Sequence, residues 1–174
     1  VVLDKPGVGG NLQDHLQLRL IFKVSGIKTL NETYSSLFQR GLMGLDYALR
    51  RRGPLTMAPS QLGLFTRSDP ARERANIQFH IQPLSLDRFG EPLHTFAAFT
   101  LSVCNLQPTS RGHVHIKSAD PAAHPAIALN YLSTEEDRRI AIAGLRFTRR
   151  IMAAKALARF APEEIKPGPE LVTD

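Results

Sequence analysis

Two stretches of alternating hydrophobicity constrain this chain more than any other feature. Over residues 76–82, Ile77, Phe79 and Ile81 alternate with Gln78, His80 and Gln82. That is the period of a strand with one apolar and one polar face. Residues 95–104 are the most apolar strand, bearing Phe96, Phe99, Leu101 and Val103. Residues 15–24 set Leu16, Leu18, Leu20 and Phe22 against Gln17, Arg19, Ile21 and Lys23, and Gly26 ends them. With shorter candidates at 61–66, 112–117 and 126–129, the set comes to about six strands.

Helical signals flank them. Thr29-Leu30-Asn31-Glu32 matches a capping box, and Phe38, Leu42, Leu45 and Leu49 form one apolar stripe that stops at Gly53-Pro54. Ser133-Thr134-Glu135-Glu136 opens a second helix, predicted to run to about Leu157 with Ile140, Ala143, Phe147, Ile151 and Ala154 on its stripe. Strands clustered between two long helices predict an α+β domain with a largely antiparallel sheet.

At 174 residues, 43% hydrophobic and 22% charged, the chain suits one globular domain. No apolar run approaches the ~20 residues of a membrane helix. The single Cys104 rules out an internal disulfide and any cysteine-based metal cluster; it suits a reducing cytoplasm and, on so apolar a strand, reads as inert core. The chain starts without Met. Val1-Val2 read as the end of a strand, and Thr173-Asp174 as a helix cap with no helix after it. Both ends therefore look trimmed.

The net charge of +6 comes largely from Arg50-Arg51-Arg52 and from Arg138, Arg139, Arg146, Arg149 and Arg150. Solvated helix surface is the plain reading. The alternative is a basic module that docks its arginine-rich helix on an acidic partner or nucleic acid.

Gly7-Val8-Gly9-Gly10 lacks the last glycine of a G-x-G-x-x-G nucleotide loop, and a strand follows it where a helix is needed. His113 and His115 share a strand face but have no third metal ligand in view. Neither H-E-x-x-H nor G-x-S-x-G occurs. The polar face Gln78, His80, Gln82 fits a pocket wall for a small polar substrate, or equally a solvated sheet face.

The stretch Lys5-Pro6-Gly7-Val8-Gly9-Gly10-Asn11-Leu12-Gln13-Asp14-His15 resembles the P-G-V-G-x-N-L-x-D-H segment of the glucose–methanol–choline (GMC) oxidoreductases. Pro108 to Pro121 resembles the family's P-x-S-R-G-x-V-x-I-x-S-x-D-P run, continued by Pro125, Ile127, Asn130-Tyr131-Leu132 and Asp137. Ile77-Gln78-Phe79-His80 resembles the strand between them. The order is collinear, and choline-dehydrogenase-like bacterial members are the most similar in pattern.

The resemblance implies a flavin domain joined to a substrate domain, the latter an antiparallel sheet of about six strands with helices packed on one face. Residues 1–15 would belong to the flavin domain and 16–174 to the substrate-binding domain. The parent would be an FAD-dependent alcohol dehydrogenase of choline-like type. Asn11, Asp14 and His15 would border the flavin, and Gln78, His80, Gln82, Asn105 and Gln107 would face the alcohol. The family's nucleotide loop and its catalytic histidine motif, H-P-x-G-T, are absent from these 174 residues. This polypeptide alone is therefore expected to bind no FAD tightly, to be inactive, and to tend to dimerise; no metal, nucleic acid or membrane span is expected.

Overall fold

A computed structural model describes residues 3–173, so the strand end read at Val1-Val2 and the cap read at Asp174 lie outside the described residues. Seven strands are present: β1 (Leu18–Lys23), β2 (Leu62–Thr66), β3 (Ile77–Gln82), β4 (Ala98–Asn105), β5 (His113–His115), β6 (Ala126–Ala128) and β7 (Glu163–Lys166). Three α-helices accompany them: α1 (Leu30–Ser35), α2 (Leu37–Arg50) and α3 (Glu135–Met152). The fold is α+β. Five strands form one antiparallel sheet in the order β2-β3-β4-β1-β7, while β5 and β6 pair separately as a ribbon.

Register follows the alternation. Leu20 stands opposite Leu101, and Phe79 opposite Val103. This puts Leu20, Phe22, Ile77, Phe79, Leu101 and Val103 on one face, where all are buried. Helix α3 closes that face through Ile140 and Met152. Its approach to β4 is close: a Cβ on Gly144 would lie 3.0 Å from Val103 Cγ2. Thr148, also buried there, donates its hydroxyl to the Gly144 carbonyl at 2.9 Å and so leaves no unsatisfied group in the core.

The buried line of α3 is Asp137, Ile140, Gly144, Thr148 and Met152, one residue round from the predicted stripe, with Phe147 and Ile151 packing along its edge. A glycine and a threonine hid this line from a hydrophobicity count. The helix also stops at Met152, short of Leu157. Ala154 turns extended, and residues Lys155–Phe160 tighten into a 3-10 turn.

Two further differences are informative. Strand β7, Glu163-Glu164-Ile165-Lys166, carries too many charges to read as a strand, which suits a sheet edge. The predicted stripe on α2 is mostly uncovered, with Phe38 and Leu49 each 74% exposed. That helix meets α1 and the turn at Pro54–Thr56 and stands away from the sheet. No described helix is long and apolar enough to cross a membrane.

Candidate functional site

The opposite face of the sheet carries the polar half of the alternation. Antiparallel partners point the same way, so the register assembles rows across the strands. Arg19, Ser102 and His80 form one row; Ile21, Thr100 and Gln82 form the next; Cys104 and Gln78 form the third. The structure thus brings Gln78, His80 and Gln82 together, with Ser102 and Thr100 beside them. Cys104 is buried, and burial pushes its thiol pKa up.

The β3–β4 connection, residues 83–97, folds back over one end of this face and is held down along its length. Thr100 Oγ1 donates to the Leu84 carbonyl at 2.9 Å. Lys166 donates to the Asp87 carbonyl at 3.2 Å. Asn31, fully buried at the start of α1, donates to Ser85 Oγ at 2.8 Å and accepts from Ser85 N at 2.8 Å. Ser85 Oγ in turn meets His94 Nδ1 at 2.9 Å, and His94 Nε2 lies 3.3 Å from Asp87 Oδ2. This serine–histidine–aspartate line has the composition of a hydrolytic triad. Its hydroxyl, however, is fully buried and already engaged by Asn31, which suits a clamp rather than a nucleophile.

Two buried side-chain polar atoms among the described residues have no hydrogen-bond partner: Arg19 Nε and Gln82 Oε1. Both belong to this face. Gln82 is only 9% exposed, and its amide nitrogen donates to Ser60 Oγ at 3.1 Å. Arg19 reaches only the Leu86 carbonyl, at 3.5 Å, and the ring of Phe89, 4.8 Å away. Arg19 reads in sequence as one more polar residue of an alternating strand; only the register reveals its place in one row with Ser102 and His80.

Asn11, Asp14 and His15 lie together on a separate, exposed segment stitched to the β5–β6 ribbon. Leu12 and Gly112 exchange backbone hydrogen bonds of 2.9 Å, and Val114 N donates to the Gly9 carbonyl at 2.7 Å. The Tyr131 hydroxyl donates to Asp14, and burial together with that carboxylate raises the Tyr131 pKa to about 12. His15 Nε2 donates to the Leu106 carbonyl at 3.2 Å, and Gln13 donates to the Pro108 carbonyl at 2.8 Å. Asn11 takes the left-handed conformation, with φ +57°, which asparagine tolerates better than most residues.

Asn105 and Gln107 sit elsewhere. Asn105 is paired with Ile77, so it shares the face of α3. Its amide donates to Asp137 Oδ1 at 3.1 Å, and its own oxygen accepts from Gln107 N at 3.0 Å. Gln107 is exposed. The buried Asp137 also accepts from Thr109 N at 2.9 Å and Ser110 N at 2.8 Å. Burial alone would raise its pKa, but the hydrogen bonds from Ser110 and Thr109 outweigh that and hold it at about 2. Asp137 therefore organises the Pro108–Gly112 turn.

The arginines of α3 are largely engaged. Arg149 makes bonds of 2.9 and 2.8 Å to Glu164, and Arg138 and Arg139 bond to Glu135 and Glu136. Arg150 lies over the Phe147 ring. This arrangement lends no support to a polyanion-docking helix. His113 and His115 stack on each other at 4.6 Å, and no group of three or more potential metal ligands occurs among the described residues. An apolar cleft of about 350 Å³ lies at the edge of the core, between Ile81, Phe99, Met152 and Phe160. It offers space but almost no polar chemistry.

Comparison with known proteins matches residues 108–174 to the GMC oxidoreductase family model. An "Alcohol dehydrogenase [acceptor]" of Pseudomonas putida is 39% identical over 100% of this chain and 32% of that protein. An "Oxygen-dependent choline dehydrogenase" of Stenotrophomonas maltophilia (strain K279a) is 35% identical over 97% of this chain and 30% of its own length. The chain thus spans about a third of the length of the curated relatives it matches. Among solved structures, a formate oxidase superposes with a TM-score of 0.80 at 18% identity, covering 96% of this chain and 34% of that one. A pyridoxine 4-oxidase from Mesorbium loti superposes with a TM-score of 0.69 at 23% identity, over 96% of this chain and 29% of its own.

Proposed function

We propose that this chain, a stretch of a GMC oxidoreductase, forms the substrate-side wall of an FAD-dependent enzyme that oxidises a primary alcohol. One observation carries the reading: the sheet has a complete apolar face under α3 and an opposite polar face holding the two unpartnered buried groups, Arg19 Nε and Gln82 Oε1. Unsatisfied buried donors and acceptors are costly, and their concentration on one surface suits a place where a ligand completes them.

The residues present fit part of an FAD. Asn11, Asp14 and His15 form an exposed polar edge on a braced segment, suited to border the isoalloxazine ring. A diphosphate finds no cradle among the described residues. The first turn of α3 carries Glu135, Glu136 and Asp137, which repel it, and the N-cap serine of α2 is spent on Gln39 N at 3.3 Å. When bound, the flavin supplies the hydride acceptor. Gln78, His80 and Gln82 orient the alcohol, and the 83–97 connection shields one end of it from water. Asn105 and Gln107 lie off this wall, Asn105 bracing the turn after β4 through Asp137 and Gln107 exposed on that turn. Residues 1–15 act as the flavin-side strip and residues 16–174 as the substrate-binding domain.

The polypeptide alone is inactive and self-associates through the uncovered stripe of α2. The test adds FAD to the 174-residue chain, removes the excess, reads flavin absorbance and dye reduction with primary alcohols, and measures mass in solution. Colourless, inactive, associating protein is the expected result; a yellow, active species would overturn the assignment. In the complete protein, His80→Ala should raise KM for the alcohol while the flavin spectrum of the resting enzyme is unchanged. An unchanged KM would remove the face from the substrate site.

A further inference from the structure

We propose that Arg19 is a specificity-determining residue that receives an anionic group, a carboxylate, carried by the alcohol. The proposal rests on reading the polar face as the substrate wall, and it names the class of substrate which that wall takes.

The chain's other partly buried arginine on the main sheet's flank shows what a structural arginine looks like here. Arg149 forks onto Glu164 and also donates to the Leu171 and Gly168 carbonyls at 2.7 and 3.2 Å. Arg19 has none of this. Its Nε is buried without a partner, its one hydrogen bond is at the limiting 3.5 Å, and the ring of Phe89 covers one side of the guanidinium. Burial lowers its pKa and no neighbour restores it. A guanidinium presents five donors in a fixed fork that matches a carboxylate, and leaving it half-desolvated without an anion is costly.

In the rows around Arg19 the face carries Ser102, His80, Thr100, Gln82, Cys104 and Gln78, none of them a carboxylate; the one acid the register places on this face, Glu163, stands opposite Lys23 at its far end. Of the two acids on the overlying connection, Asp87 and Glu91, Asp87 is already held by His94 and Lys166, and neither pairs with Arg19. A quaternary ammonium alcohol beside Arg19 would meet a cation, and the one acid of the face, Glu163, is paired across the strands with Lys23. A hydroxy acid brings what the face lacks: a carboxylate for the donor Arg19 Nε, and a hydroxyl for the acceptor Gln82 Oε1.

The test uses the complete, FAD-loaded protein. Turnover is compared for ω-hydroxy carboxylates, 1-alkanols of matching length, and choline, in wild type, Arg19→Met and Arg19→Lys. Binding of the plain alkanoate, which cannot be oxidised, is measured by calorimetry. The wild type should prefer the hydroxy acid to the alkanol and disfavour choline. Arg19→Met should lower kcat/KM for the hydroxy acid by roughly 30-fold or more while leaving the alkanol near its wild-type value, and Arg19→Lys should recover part of the loss. Equal losses on both alcohols, or a wild-type preference for choline, would overturn the proposal. So would a shift of the flavin potential in ligand-free Arg19→Met, because the flavin would then be the partner. If no alcohol is oxidised yet the alkanoate binds wild type and not Arg19→Met, the alcohol-oxidising reading fails and the anion site stands. If alcohols are oxidised and the alkanoate does not bind, only the anion site fails.

Discussion

The two faces of the central sheet are built from the same strands, residue by residue in alternation, and they are finished to different standards. Beneath α3 the core residues interlock, the threonine hydroxyl is satisfied within its own helix, and a glycine lets the helix sit against Val103. On the opposite face a guanidinium nitrogen and an amide oxygen are buried with nothing to bind. Folding completes the first face; the second is left for something else to complete. Neighbouring residues on one strand therefore meet different surroundings, Phe79 the packed core and Gln78 and His80 the polar face.

The sharpest way to break that contrast is to truncate adjacent residues on β3. Phe79, fully buried, should cost about 3–5 kcal/mol as Phe79→Ala, read as a drop in the denaturant midpoint of the complete protein. Gln78→Ala should cost less than about 1 kcal/mol and register in substrate KM. Equal stability losses would erase the distinction between the faces.

Next in size is Asp137→Ala, at about 2–3 kcal/mol, because it strips the acceptor from Asn105, Thr109 and Ser110. The folded-state pKa of Asp137 is depressed, to about 2. Its contribution is thus fully present above the ordinary carboxylate range near pH 4 and is lost as pH falls towards 2. Acid unfolding of the variant should lack that component, measured as a flatter dependence of stability on pH between those limits.

Much of this was legible in the sequence, and the reason is physical. Alternation at 76–82 and within 95–104 fixes register wherever one face is buried, so those strands and the polar trio on β3 could be read directly, whereas the charged edge strand β7 could not. Helix α3 was legible in kind and its buried line was not, because Gly144 and Thr148 owe their burial to close approach rather than hydrophobicity. Arg19 escaped notice for another reason. Its meaning lies in what does not contact it, and only cross-strand pairing discloses that. The clamp of Asn31, Ser85, His94 and Asp87 joins residues up to 63 positions apart (31 to 94), with no spacing rule to announce it.

Two smaller perturbations sharpen the contrast from the packed side. Gly144→Ala adds a methyl 3.0 Å from Val103 Cγ2 and should cost about 1–2 kcal/mol in the same unfolding assay, with substrate KM unchanged. Tyr131→Phe removes the hydrogen bond to Asp14 and should cost about 1 kcal/mol. Because the Tyr131 pKa is raised to about 12, the stability it adds is intact below about pH 10 and disappears as pH climbs through 12. An alkaline titration of wild type against Tyr131→Phe should converge above that point.

The glycine run before β1 has its own arithmetic. A side chain at Gly9 would start 1.9 Å from the Val114 carbonyl oxygen, on a backbone already at φ +80°, whereas one at Gly7 meets nothing within 4 Å. Two glycines two positions apart in the chain therefore face opposite mutational fates. Drift and directed libraries can rewrite position 7 freely, while position 9 has one spelling, because there the main chain itself is the side chain's competitor for space.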